Sequence, residues 1–227
     1  TRIIIVGNGM VGYAFCDQLT KLTSESQHQI TVFGEERYPA YDRVHLTDFL
    51  ANESPDDLLL ADRNWYKDRH IDLQTDTRIA SIDRDAKEVV TNNGVRHPYD
   101  RLVLATGSYP FIPPIDGSQD SNIAVYRTID DLKNIAQKAK TKHAAAVIGG
   151  GLLGIEAAAA LMKLGLRVHL IEVAAQLMPR QLDGPSSEVL REKLLADGLH
   201  VRIDTATRRI QPVDEHFLLS LNDDEQL

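Results

Sequence analysis

The chain has 227 residues, 43% of them hydrophobic, enough for one large or two small domains with ordinary buried cores. Its net charge of −8 argues against a nucleic-acid partner, which requires a basic footprint. No apolar run approaches the roughly 20 residues of a membrane-spanning helix, and no secretion signal precedes the first strand. The single cysteine, Cys16, forms no intrachain disulfide and reads as a packing residue. These features point to a reducing, cytoplasmic location.

Residues 2–6 are a β-branched apolar run suited to a parallel strand buried on both faces. Residues 10–21 read as a helix, with Val11, Phe15, Leu19 and Leu22 at helical spacing. A strand at 30–33 completes a βαβ unit. Residues 39–54 are irregular with some helix. A hairpin-like section spans about 78–96, turning at Asn92-Asn93-Gly94. Residues 102–105 form another buried strand, ending at Thr106-Gly107. Pro110, Pro113, Pro114 and Gly117 mark a domain crossing near 112/113, and a helix follows at 129–140. A second βαβ unit runs through 145–148, 152–164 and 168–171. Beyond it lie a helix at 186–196, a strand at 199–203 and part of a small antiparallel sheet at 210–221. The fold class is α/β, with two Rossmann-like dinucleotide-binding domains. Each is a parallel sheet with helices plus a small antiparallel meander. The two units look duplicated in architecture, though not in detailed sequence.

The chemistry-bearing motifs are two glycine fingerprints about 140 residues apart, Gly7-Asn8-Gly9-Met10-Val11-Gly12 and Gly149-Gly150-Gly151-Leu152-Leu153-Gly154. In such motifs the first glycine allows the strand-to-helix turn. The second admits the diphosphate, and the third lets helix and strand pack closely. The diphosphate then sits at a helix N-terminus, where free N–H groups favour an anion. No Lys-Ser/Thr follows either motif, so a phosphate-transferring P-loop is not indicated. An acid about 20 residues on is expected to hold ribose hydroxyls. Glu172 ends the strand of the second unit. With Val173, Ala174 and Ala175 after it and no arginine pair, it favours NADH over NADPH. In the first unit Gly34 ends the strand, and the acid, Glu35, comes one position late. Glu156 follows Gly154 by two residues, in the expected first turn of its helix, where the dipole favours an acid. His45 and His97 read as surface or hinge residues, and Tyr109 and Phe111 as packing at the crossing.

Together with the Tyr99–Gly107 strand ending in Ala105-Thr106-Gly107, the fingerprints resemble the two-dinucleotide flavoprotein reductases. Four further stretches narrow the resemblance: Val32-Phe33-Gly34-Glu35-Glu36, Tyr41 to Thr47, Ala105 to Phe111, and Gln181-Leu182-Asp183. They are similar to the N-terminal part of assimilatory NAD(P)H nitrite reductase large subunits, and to electron-transfer subunits of assimilatory nitrate reductase. The resemblance implies an FAD-binding domain over 1–112 and an NAD(P)H-binding domain over 113–227, both incomplete. It implies FAD diphosphate contacts at Gly7, Asn8, Gly9, Met10 and Gly12, with Glu35 on the adenosine ribose. Arg43 falls near the pyrophosphate, Ile79 at the adenine, and Ala105, Thr106 and Gly107 close over the FAD. Gly149, Gly151, Leu152, Leu153 and Gly154 meet NADH, with Glu172 on its ribose. Glu156 matches a glutamate near the nicotinamide and flavin.

One departure concerns Asp48. Ferredoxin-reductase-like relatives read Arg-Pro-Pro-Leu-Ser-Lys where this chain has Arg43-Val44-His45-Leu46-Thr47-Asp48. The relatives' lysine lies near flavin N5 and can pair with the glutamate that Glu156 matches, whereas Asp48 in its place would put two carboxylates together, which repel. This counts against a plain ferredoxin or rubredoxin reductase. The resemblance also implies an FAD contact beyond Leu227, so the chain reads as C-terminally truncated. It implies partner domains or a subunit carrying iron–sulfur and sirohaem groups outside the chain, and it permits an oligomer. The implied activity is hydride transfer from NADH to FAD with electrons passed on, for nitrite reduction to ammonium. The alternatives are an electron-transfer subunit of assimilatory nitrate reductase or a rubredoxin- or ferredoxin-type reductase and, from another class, a non-catalytic dinucleotide-binding module.

Overall fold

Three isoleucines and a valine make the first strand a buried one. In a computed structural model, which describes residues 1–22, 28–49, 54–222 and 225–227, Ile3, Ile4, Ile5 and Val6 are all buried. The chain divides into two units, residues 1–46 with 53–109, and residues 47–52 with 110–227.

In the first unit, β1 (Arg2–Val6), α1 (Met10–Leu22) and β2 (Gln29–Phe33) form the expected βαβ element. After a short helix, α2 (Leu46–Phe49), most of which falls in the second unit, α3 (Arg63–Asp68) and β3 (Ile71–Gln74) follow. The strands β4 (Ile79–Asp83), β5 (Glu88–Thr91) and β6 (Arg96–Pro98) are an antiparallel meander, and β7 (Arg101–Leu104) returns to the main sheet. That sheet is parallel, in the order β3-β2-β1-β7. Alternation along β1 sorts its two faces. Ile3 and Ile5 pack with Cys16 of α1 and Tyr66 of α3, while Ile4 and Val6 pack with Val89 of the meander.

The buried face of α1 differs from the one its bulky apolar residues suggest. Gly12 and Cys16 are buried, whereas Val11 is 69% exposed and Phe15 and Leu22 also face outward. Small residues let the helix lie close on the sheet, so close packing overrides apolar bulk. The strand β3 and helix α3 are absent from the sequence reading. Ile71-Asp72-Leu73-Gln74 alternates apolar and polar, but over the minimum length for a strand signal, and β3 pairs with β2 as a sheet edge.

Asp100, just before β7, joins its strand to the first. Arg2 Nη2 donates to Asp100 Oδ1 at 2.7 Å, and Arg2 N–H donates to Oδ2 at 2.8 Å. The side-chain bond from Arg2 holds the carboxyl down to about 2 from its ordinary 3.8. A carboxyl depressed by folding stabilises above its unfolded pKa and loses that contribution as pH falls through its folded pKa. Asp100→Asn is therefore expected to flatten the loss of urea stability between pH about 4 and about 2. An unchanged acid slope in the variant would show that the pair carries none of it.

The second unit contains α4 (Ile129–Ala139), β8 (Ala144–Ile148), α5 (Leu152–Lys163), β9 (Arg167–Ile171), α6 (Gly184–Ala196) and β10 (His200–Arg202). Its parallel sheet runs β10-β9-β8, and β11 (Thr207–Val213) pairs antiparallel with β12 (His216–Leu221). Helix α4 has a capping box on Thr128 and Asp131. Asp183 caps α6 by accepting from Ser186 N–H at 2.9 Å. Val168 and Leu170 face Ala158 and the helices, while Ile171 packs on Ile210, Leu219 and Leu221 of the hairpin. No helix among the described residues is long and apolar enough to cross a membrane.

Candidate functional site

Both fingerprints occupy the turn between first strand and first helix of their units, and they share one hydrogen-bond skeleton. Gly7 N–H donates to Phe33 O at 2.8 Å, and Gly149 N–H to Ile171 O at 2.8 Å. Tyr13 N–H reaches Gly9 O at 2.9 Å, and Ile155 N–H reaches Gly151 O at 3.0 Å. Further on, Gly34 N–H bonds Gln74 O and Glu172 N–H bonds Arg202 O, both at 2.8 Å. Residues 7–13, 34 and 74 thus correspond to residues 149–155, 172 and 202, a repeat that residue identities conceal.

The glycines divide into three kinds. Gly7 and Gly149 have φ of +112° and +115°, outside ordinary L-residue space. A Cβ on Gly12 would lie 2.1 Å from Gly7 O, and one on Gly154 would lie 1.8 Å from Gly149 O. These glycines allow helix and turn to touch. A Cβ on Gly9 or Gly151 would meet nothing within 4 Å. Those two positions leave open space beside a helix N-terminus, as a bound diphosphate requires. Met10 begins α1 and Leu152 and Leu153 begin α5, all exposed beside that space. The structure also brings the Ala105-Thr106-Gly107 segment onto the first fingerprint. A Cβ on Gly7 would lie 2.1 Å from Ala105 O and 2.9 Å from Thr106 N, and Gly107 has φ of +70°.

The two units resolve one steric constraint in opposite ways. In the first, Asn8 carries the side chain, and a Cβ on Gly34 would come 2.9 Å from Asn8 Cβ. In the second, Glu172 carries it, and a Cβ on Gly150 would come 2.9 Å from Glu172 Cβ and 2.6 Å from Leu177 Cδ2. The acid therefore sits directly under the loop in the second unit and one residue later in the first. Glu172 is 8% exposed, with Oε2 accepting from Gly150 N–H at 2.6 Å and Oε1 from Ala174 N–H at 2.7 Å. Its carboxylate braces the fingerprint loop and keeps further lone pairs for a ligand hydroxyl. Glu35 is about half-exposed. Its Oε2 accepts from Tyr109 O–H at 2.6 Å, and Arg78 Nη1 lies 3.6 Å from its Oε1.

The other expected site residues are dispersed. Arg43 pairs with Glu36, which also accepts from Tyr41 O–H at 2.6 Å, and its guanidinium stacks on the Tyr41 ring. Ile79 opens β4 and packs against the cluster of Ile4 and Val6. Glu156 is not in the first turn of its helix as expected. Gly151 is the N-cap and Leu152 the first residue, so Glu156 stands in the second turn, where the dipole acts more weakly. Phe111, expected to pack at the crossing, is 83% exposed. The Asp48 side chain lies outside the described residues. His45 accompanies Asp42 on the surface, and His97 packs edge-on against Phe33.

One contact was not visible in the sequence. Tyr66 of α3, 1% exposed, donates its hydroxyl to Asn8 Oδ1 at 2.8 Å across 58 residues of chain. The available signals are Asp62 as a helix cap and the Trp65-Tyr66 pair, and neither points to a glycine loop. Cys16 is fully buried, and burial pushes its thiol up to about 12, so it supplies no thiolate. Among the described residues no cluster of side chains is set to hold a metal ion.

Known proteins are similar to this chain in sequence and fold. A nitrite reductase [NAD(P)H] large subunit from Klebsiella oxytoca is 44% identical over 225 residues, covering 99% of this chain and 24% of the relative. The assimilatory nitrate reductase electron transfer subunit of Bacillus subtilis (strain 168) is 37% identical over 207 residues, covering 91% of this chain and 27% of the relative. The chain thus spans about a quarter of the length of these curated relatives. The crystal structure of a ferredoxin reductase from Rhodopseudomonas palustris has the same fold, with a TM-score of 0.92 at 24% identity. The match covers 100% of this chain and 56% of that one. The family described as pyridine nucleotide-disulphide oxidoreductase matches residues 1–227 in full, and the chain belongs to it.

Proposed function

We propose that the chain is the pyridine-nucleotide:FAD oxidoreductase module of a larger assimilatory nitrite reductase, with FAD in the first unit and NADH in the second. The observation that carries this reading is the repeated cradle. Each unit has a positive-φ glycine at the turn, a glycine open to a ligand, and a glycine pressed against the backbone. In the first unit, Gly7, Asn8, Gly9, Met10 and Gly12 would hold the FAD diphosphate and Glu35 the adenosine ribose. Arg43, Ile79 and Ala105 to Gly107 would complete the boundary. In the second, Gly149, Gly151, Leu152, Leu153 and Gly154 would hold the NADH diphosphate and Glu172 the ribose. Glu156 and Asp48 are candidate neighbours of the reacting rings.

With FAD and a nicotinamide nucleotide bound, the pair would supply two-electron hydride-transfer chemistry. The chain's residues bind and align. The buried Glu172 carboxylate disfavours a 2′-phosphate, which supports NADH over NADPH. The single, buried Cys16 leaves no dithiol in this chain and fits a cytoplasmic setting. In the larger protein, iron–sulfur and sirohaem domains or a subunit would receive the electrons and reduce nitrite to ammonium. The 37% identity to a nitrate reductase electron transfer subunit supports a second reading, in which the same module serves nitrate reduction.

The purified chain, supplied with FAD, is expected to turn yellow and to bleach anaerobically under NADH faster than under NADPH. A flavin-loaded protein that NADH leaves yellow would instead be a binding module without turnover.

A further inference from the structure

We infer that Tyr66 is a positioning residue for the first dinucleotide, acting through Asn8 on the Gly7–Met10 loop. The inference rests on the reading of the first unit as the FAD site. In the second unit a strand-end acid ties down the corresponding loop, with Glu172 accepting from Gly150 N–H. The first unit cannot use that device. Its strand ends in Gly34, where a Cβ would press on Asn8. The loop is tied down from outside the βαβ element instead, by Tyr66 O–H on Asn8 Oδ1 at 2.8 Å.

The Tyr66 hydroxyl is the donor in this bond and Asn8 Oδ1 the acceptor. Burial raises the Tyr66 pKa, which keeps the phenol protonated and able to donate. The ring is held independently by packing with Ile3, Ile5 and Cys16 and by its edge contact with Trp65. Asn8 Nδ2 is buried without a hydrogen-bond partner, so the Tyr66 bond is the one that sets the amide's orientation. This arrangement releases the first unit's acid from bracing. Glu35, one residue beyond Gly34, is left half-exposed beside Tyr109 and Arg78. Fixing the loop and presenting the acid, both done by Glu172 in the second unit, are divided between Tyr66 and Glu35 in the first.

Calorimetric titration of FAD and NADH into wild type, Tyr66→Phe, Asn8→Ala and the double variant tests this assignment. Phenylalanine keeps the buried ring, so the fold is retained. FAD affinity is expected to fall about tenfold in Tyr66→Phe, the worth of one net hydrogen bond. NADH affinity should change less than about twofold, and the double variant should bind FAD no worse than Asn8→Ala alone. Equal weakening of both nucleotides would make Tyr66 merely structural and overturn the inference. So would unchanged FAD affinity, or additive effects of the two substitutions. A wild-type chain that takes up no FAD would overturn the cofactor reading itself, and this inference with it.

Discussion

Gly7→Ala is expected to destabilise the first unit by about 2 to 5 kcal/mol, from two sources that act together. A φ of +112° costs an L-residue about 1–2 kcal/mol, and forcing an atom into filled space costs a further ~1–3 kcal/mol. The space is filled by backbone, since the added Cβ would lie 2.1 Å from Ala105 O. No rotamer change relieves that contact. Either the turn or the end of β7 must move, and Ala105 N–H is bonded to Val6 O at 2.7 Å. For a unit of this size the unfolding midpoint should drop by an amount on the order of 15 °C. Gly94→Ala is the control. Gly94 also has positive φ, +85°, but a Cβ there would meet nothing within 4 Å. It should show the strain component alone, about 1–2 kcal/mol. Equal midpoints for the two variants would show that close approach to Ala105 is not a constraint.

Gly9→Ala and Gly151→Ala should behave in the opposite way, with little effect on stability and a large one on binding. A Cβ at either position touches nothing in the protein. Stability should change by less than about 1 kcal/mol, the range of an N-cap effect. The same Cβ would project into the space assigned to a diphosphate. Nucleotide affinity should therefore fall about 10–100-fold, the equivalent of ~1–3 kcal/mol of overpacking. The loss should be specific to each unit, FAD for Gly9→Ala and NADH for Gly151→Ala. Titrating both variants with both nucleotides reads this directly. Retention of wild-type FAD affinity by Gly9→Ala would move the first nucleotide away from the fingerprint.

These contrasts show what the sequence makes legible. The glycine spacing and the β-branched runs before it reveal two βαβ units, because turn geometry and double-sided burial leave few residue choices. The inward face of α1 does not follow from its apolar spacing, because Gly12 and Cys16 bury little apolar bulk while the larger Val11 faces outward. The segment holding α3 and β3 is hard to read because the alternation of its edge strand lasts only four residues. With it went Tyr66, whose partner Asn8 is 58 residues away. Glu172 was identified as the strand-end acid, but its bonds to Gly150 and Ala174 depend on a loop path that spacing does not specify.

The reversed pairing of Asn8 with Gly34 and of Gly150 with Glu172 limits how these units can be recombined. A fingerprint loop grafted alone from the second unit into the first would set Gly150 above Gly34, leaving a gap and no brace. The reciprocal graft would drive the Asn8 side chain into Glu172. The smallest transferable cassette is therefore discontinuous: the loop together with the end of the neighbouring strand. Homologous exchange between the two halves of such a gene would preserve folding only if both pieces crossed over together.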